Sequence, residues 1–259
     1  MSVALADAWL RCYRPAPAAR LRLVCMPHSG GGASFFRAWA LAAPASVELV
    51  SVQYPGREDR TGDPPVAHML DLADHIERAI AQLEPLPVAL FGHSLGAAVA
   101  HEVARLHEAR GSELVRLVVS GRGAPRRLRH ETSHLLDDEA LWADVRRLGG
   151  TDDTLLDSAE LRALVLPALR SDLRLVETYR AAPGPPVAAP IGALVGDRDP
   201  KASVAEVAGW WEETTGAFAL RVVPGGDHFY LARRRDEALH EVLRLLDVVP
   251  APAAGPPGP

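Results

Sequence analysis

Val88-Ala-Leu-Phe-Gly-His-Ser-Leu-Gly-Ala-Ala-Val-Ala100 joins a short apolar run to a run of small residues through Gly92-His93-Ser94-Leu95-Gly96. The Gly-x-Ser-x-Gly spacing suits a serine carried on a tight turn from strand to helix. Such a turn strains the backbone at the serine, and its neighbours must be small. Gly92 and Gly96 meet that need. The Ser94 hydroxyl is then expected at the positive end of a helix, with the Leu95 N–H free to stabilise an oxyanion. The pattern alone is weak evidence, since a Gly-rich turn fits it too. The apolar strand before it and the Ala-rich helix after it supply the context that the chemistry demands.

The rest of the chain bounds the answer. Its 259 residues are 48% hydrophobic, enough for one substantial core. A net charge of −5 argues against a general nucleic-acid binder. Cys12 and Cys25 fit no metal-binding or redox spacing and read as incidental thiols of a reducing compartment, the cytoplasm. No apolar run reaches the ~20 residues of a membrane span, and the N-terminus lacks the pattern of a secretory signal. A monomer is the expected state.

In chain order, strands are expected at Leu21–Met26, Val47–Tyr54, Val88–Phe91 and Glu113–Ser120. Helices begin at Phe35 and fill Met69–Leu83 and the residues after Ser94. This alternation implies a mostly parallel sheet covered on both faces. The charged loop Pro55–Arg60 reads equally as a solvated turn or as a shaping element near the site. After Gly121 the rhythm breaks. Residues 122–185 hold no clear strand, two helical stretches (Leu135–Leu148 and Ser158–Tyr179), and the cluster Arg122, Arg126, Arg127 and Arg129. They are expected to form a helical lid inserted within a single domain spanning 1–247. Gly149-Gly150 reads as a hinge or a helix stop. Strands return at Pro190–Val195 and Phe218–Val223, helices at Val204–Thr214 and Asp236–Leu246. The Pro/Ala/Gly tail, 248–259, is expected to be disordered.

A serine needs a base. Of ten histidines, His228 alone lies in a Gly-rich loop just past a late strand, at the same sheet edge as Ser94. The imidazole in turn needs a carboxylate. Asp199, in the loop after the preceding strand, is the expected partner; Asp197 is expected to tie down the turn, and Asp227 is poorly aimed at its own neighbour's ring. The Gly-rich loop Pro27-His-Ser-Gly-Gly-Gly32 offers a second oxyanion donor, the Ser29 N–H. The order Ser94, Asp199, His228 is that of α/β-hydrolases.

With these residues placed, the chain resembles the type II thioesterases that accompany polyketide and nonribosomal peptide synthetases. The likeness covers about residues 9–247. It rests on Pro27-His-Ser-Gly-Gly, Tyr54-Pro-Gly-Arg57 with Arg60, Gly92-His-Ser-Leu-Gly96, Leu148-Gly-Gly-Thr-Asp152, Leu166-Pro-x-Leu-Arg-x-Asp172, Gly196-Asp-x-Asp199 and Gly225-Gly-Asp-His-Phe229. The resemblance implies an α/β-hydrolase fold and hydrolysis of acyl thioesters from the phosphopantetheine arm of acyl or peptidyl carrier proteins, with no cofactor and no metal. It also suggests a use for Arg126, Arg127 and Arg129 in docking an acidic carrier; the alternative is a solvated lid hinge. The elbow and triad by themselves also fit a serine esterase acting on small oxygen esters, and a non-catalytic carrier-binding protein is the alternative from another class.

Overall fold

A computed structural model describes residues 8–127, 130–149 and 157–248. Its centre is a seven-stranded sheet: β1 (Leu10–Arg11), β2 (Leu21–Met26), β3 (Val47–Val52), β4 (Val88–His93), β5 (Leu114–Ser120), β6 (Ile191–Gly196) and β7 (Phe218–Val223). The spatial order is β1-β3-β2-β4-β5-β6-β7, and every pair is parallel except β1 with β3. The short antiparallel β1 carries no alternation that a sequence reading can detect, and it appears only as the pairing of Leu10 with Val52 and Arg11 with Ser51.

The strands are near-continuous apolar runs because both faces of the sheet are covered. Successive side chains point to opposite faces. Val24 and Met26 of β2 pack on one side with Leu72 and Ile76 of one helix and Leu95 and Val99 of another. Leu23 and Cys25 pack on the other side with Phe36, Trp39, Leu239 and Val242. The helices responsible are α1 (Arg37–Ala42), α2 (Met69–Ile80), α3 (Leu95–Ala109) and, near the end of the chain, α8 (Arg235–Leu245).

Between β5 and β6 the described chain forms α4 (Asp138–Leu148) and α5 (Ala159–Thr178). Asp137 and Ser158 cap their first turns through side-chain oxygens. Gly149 ends α4 with a φ of 72°, which explains the helix stop; its neighbour Gly150, read as half of a hinge, lies outside the described residues, as do 249–259 of the Pro-rich tail. The stretch read as one helix from Val204 to Thr214 divides into α6 (Val204–Ala208) and a 3₁₀ turn, Gly209–Glu213, which turns Trp210 into the core and leaves Trp211 exposed. The short α7 (Tyr230–Arg233) precedes α8. A mostly parallel sheet flanked by helices, with a helical segment between β5 and β6, is the α/β-hydrolase arrangement.

The chain leaves β2 outward to β3 and returns to β4, so the strand order reverses between β2 and β4. Open parallel sheets place ligand crevices at such a reversal. Closure there depends on Gly96. A Cβ on Gly96 would lie 2.1 Å from the Met26 carbonyl oxygen, and one on Gly92 would lie 2.0 Å from the Gly96 carbonyl oxygen. Neither backbone atom can swing aside. Gly96→Ala is therefore expected to destabilise the protein by at least about 2 kcal/mol, as overpacking of a rigid site does, measured as a lowered midpoint of urea unfolding; an unchanged midpoint refutes the close approach.

Candidate active site

Ser94 follows β4 directly and opens α3. Its φ is 56° and its ψ −114°, in the region that residues with a Cβ avoid. Its N–H donates to the Ser120 carbonyl at 2.8 Å, so the end of β5 holds the strained turn. Leu95 is the first residue of α3, and its N–H has no acceptor within the helix.

Two loops bring the residues expected to serve as base and carboxylate. Asp199 follows β6, and His228 follows β7. His228 Nδ1 lies 3.0 Å and 2.9 Å from the two carboxylate oxygens of Asp199, and both residues are buried. The contact leaves Nε2 as the ring nitrogen able to accept a proton. Asp199 Oδ1 also accepts the Lys201 N–H at 2.8 Å. Asp197 instead accepts the Gly225 N–H at 2.6 Å and ties the two loops together. Asp227 accepts the Phe229 N–H at 2.9 Å and pairs with Arg233, turned away from the ring beside it.

Ser94 and His228 line one cavity of about 420 Å³ together with Ser29. Ser29 sits in a turn closed by the Gly31 N–H on the His28 carbonyl at 3.0 Å, with Gly30 at φ 78°. The turn is braced from two directions. Gln53 accepts the Ala33 N–H at 2.9 Å, Glu58 accepts the Ser34 N–H at 3.2 Å, and Arg57 donates to the Gly31 carbonyl at 3.2 Å. The loop Pro55–Arg60 is thus a shaping element and not a solvated turn. From above, Asp172 of α5 accepts the Gly30 N–H at 2.8 Å. The far wall of the cavity is apolar, with Leu141, Val145, Leu169, Leu173 and Val176 from α4 and α5.

Two further histidines, His28 and His93, flank the Gly-rich loop and Ser94 in the sequence, and the fold packs both into this site. His93 is fully buried and lies against the His228 ring, centroid to centroid 4.9 Å. Its Nδ1 is 2.9 Å from the Ser120 hydroxyl, which is 2.7 Å from the Tyr230 hydroxyl. His28 packs against Phe35 and Phe229. Burial, then the neighbouring His228 and Arg57, lowers the His28 pKa to about 3. Burial, then His228 and His28, holds His93 well below the ordinary imidazole value. The signal in the sequence is their position, next to Ser29 and Ser94 at the ends of two strands; their burial carries none.

Of the arginines singled out after Gly121, Arg122 and Arg127 line the cavity, and burial lowers the Arg122 pKa to about 10. Arg126 is exposed and lies 3.5 Å from Glu213, and Arg127 pairs with Glu212. Arg129 lies outside the described residues. Among the described residues no group of three or more His, Cys, Asp or Glu is arranged to hold a metal ion, and no helix is long and apolar enough to cross a membrane.

His28 and His93 take up protons in the unfolded chain below pH 6.5, whereas in the fold His28 stays neutral to about pH 3 and His93 also titrates far lower. The unfolded state therefore binds more protons in this window, and stability is lost as pH falls through it. Urea unfolding between pH 7 and 4 is expected to show a loss of about 1.4 kcal/mol per pH unit for each histidine below its unfolded pKa. His28→Phe removes about one proton from that slope; an unaltered slope contradicts the assignment.

A family model described as a thioesterase domain matches residues 21–247. Thioesterase PikA5 of Streptomyces venezuelae is 47% identical over 90% of this chain and 84% of its own length. The gramicidin S biosynthesis protein GrsT of Aneurinibacillus migulanus is 35% identical over 91% of this chain and 92% of its own. Among solved structures, the type II thioesterase BorB from the borrelidin biosynthetic cluster superposes with a TM-score of 0.86 at 43% identity, over 93% of this chain and 98% of its own. The sheet, the strained serine and the buried His–Asp pair thus occur in a sequence that the thioesterase model spans almost throughout, and the chain belongs to the thioesterase domain family.

Proposed function

We propose that this protein is a type II, editing thioesterase. It hydrolyses acyl groups from the phosphopantetheine arm of acyl or peptidyl carrier proteins and so clears stalled or aberrant acyl groups from a polyketide or nonribosomal peptide synthase. The observation that carries the reading is one cavity onto which a serine at φ 56° and a histidine paired with a buried carboxylate both open. Its relatives point the same way: BorB is described as a type II thioesterase of the borrelidin cluster, and a protein 31% identical, YbtT, as one of a Yersiniabactin NRPS/PKS pathway.

In this reading Ser94 is the nucleophile, His228 the general base and Asp199 the group that fixes the imidazole tautomer and stabilises its charged form. Ser94 Oγ attacks the thioester carbonyl as its proton passes to His228 Nε2. The Leu95 and Ser29 N–H groups receive the oxyanion. The tetrahedral adduct collapses, the C–S bond breaks, and His228 returns the proton to the departing thiolate. A thiol with a pKa of ~8.5 leaves more readily than an alkoxide. Water, deprotonated by His228, then attacks the acyl-serine and releases the acid. No step needs a metal or cofactor.

Within 122–185 the helices α4 and α5 act as the lid, and their largely apolar wall receives the acyl chain. The exposed Arg126, together with Arg127 at the cavity, is suited to an acidic carrier surface, although Glu212 and Glu213 already offset part of that charge. Reversing both arginines to Glu is expected to lower kcat/KM for an acyl-carrier protein several-fold more than for a small acyl thioester; equal effects on the two substrates refute the docking role.

The defining experiment compares an acyl-phosphopantetheinyl carrier protein with a matched p-nitrophenyl ester. The carrier thioester is expected to be the better substrate. Ser94→Ala should abolish turnover, and Asp199→Asn should lower kcat by about 10⁴-fold, as loss of the carboxylate does in such triads. Preference for the oxygen ester indicates a general esterase, and absence of turnover by the wild type indicates a binding protein.

A further inference from the structure

Asp172 is a carboxylate on the apolar face of α5, between Leu169 and Val176. It is 6% exposed and receives the guanidinium of Arg57, 8% exposed, through both carboxylate oxygens; the Arg57 Nη2 to Oδ1 bond is 2.9 Å. The same carboxylate accepts the Gly30 N–H at 2.8 Å, and the same guanidinium donates to the Gly31 carbonyl at 3.2 Å. The pair therefore grips the dipeptide Gly30–Gly31 from both ends, at the N–H of Gly30 and at the carbonyl of Gly31. That unit directly follows Ser29 and belongs to the turn that aims its N–H. Leu169, one turn earlier on α5, packs against Gly30 as well, 3.3 Å from where a Cβ would stand.

We propose that Arg57 and Asp172 are positioning residues for hydrolysis: α5, through this buried ion pair, completes the oxyanion loop, so that the donor formed by Ser29 is in register only while the helical cover is seated. The proposal rests on the reading of Ser29 as an oxyanion donor. A Gly-rich turn at a strand end has many accessible conformations. Here the remaining freedom is removed by an element that arrives from a distant part of the chain. A buried ion pair is a weak device for stability, because desolvation offsets much of the attraction, and apolar replacements of similar volume often cost nothing. What this pair provides beyond stability is directional: two hydrogen bonds to the backbone of the loop, which no apolar pair can make.

That distinction supplies the test. Asp172→Asn keeps the side-chain shape and an acceptor for Gly30 but leaves the Arg57 charge buried without a partner. Arg57→Met with Asp172→Leu removes both charges and refills the space. Three quantities are measured on an acyl-pantetheine thioester: kcat, KM and the inhibition constant of a pantetheinyl trifluoromethyl ketone, which Ser94 captures as a tetrahedral oxyanion. Removal of a whole oxyanion donor costs about 10²–10³ in kcat, so a misdirected loop is expected to cost about tenfold or more. The expected result is this loss of kcat in both variants with KM within about twofold and a parallel weakening of the ketone. The double variant retains the wild-type melting temperature. If Asp172→Asn does not fold, the double variant alone decides. Wild-type kcat and ketone affinity in the double variant overturn the proposal and show that the pair serves packing only. A Ser94→Ala protein that still turns over overturns the catalytic reading itself, and this inference with it, independently of either Asp172 variant.

Discussion

The approach of α3 to the end of β2, with no room for a Cβ at Gly96, is the constraint on which the rest of the molecule depends. It lets the first turn of α3 sit against the Met26 and Pro27 carbonyls. Ser94 and the Gly-rich loop that carries Ser29 thereby line one cavity although Ser29 and Ser94 are 65 positions apart in the sequence. The strained φ at Ser94 survives because the hydrogen bond to Ser120 and the packing of β4 between β2 and β5 overdetermine it. Strain of this kind costs about 1–3 kcal/mol, a cost that a sheet buried on both faces can absorb.

Around that turn the site is assembled from rigid pieces. The sheet fixes Ser94, Asp199 and His228 at the ends of β4, β6 and β7. The Asp197–Gly225 bond keeps the last two of these loops in step. The rings of His93 and Phe229 pack against His228, His28 packs in turn on Phe229, and the Ser120–Tyr230 hydroxyl pair satisfies Nδ1 of His93. The outer wall comes from α4 and α5, set between β5 and β6, and there most of the lining side chains are apolar, with Asp144 and Glu177 among them.

The strands were legible because an apolar run bounded by Gly and Pro has few other interpretations in a chain of this composition, and β2 and β7 begin and end where the periodicity places them. The strand β1 was not legible, since two residues carry no period. Nor was the break after Ala208, where tertiary packing of Trp210 overrides helical periodicity. At the site, the Gly-x-Ser-x-Gly spacing and the loop position of His228 single out residues that the fold brings to one cavity. The pairing of Asp172 with Arg57 was invisible to local reading because it joins residues 115 apart. Its trace was a carboxylate interrupting the apolar stripe of Leu166, Leu169 and Val176. Such an interruption marks a partner without naming it.

The insertion between β5 and β6 has a consequence during synthesis. β5 pairs with β4 on one side at once, but its other edge receives Ile191–Leu194 of β6 only after residues 121–190 have been made. Until then Leu117–Ser120 presents an open, apolar strand edge, the kind of surface on which nascent chains associate. The long segment that shapes the cavity therefore also sets how long the growing polypeptide stays adhesive, and a shorter insertion would give a faster-closing sheet at the expense of the chamber.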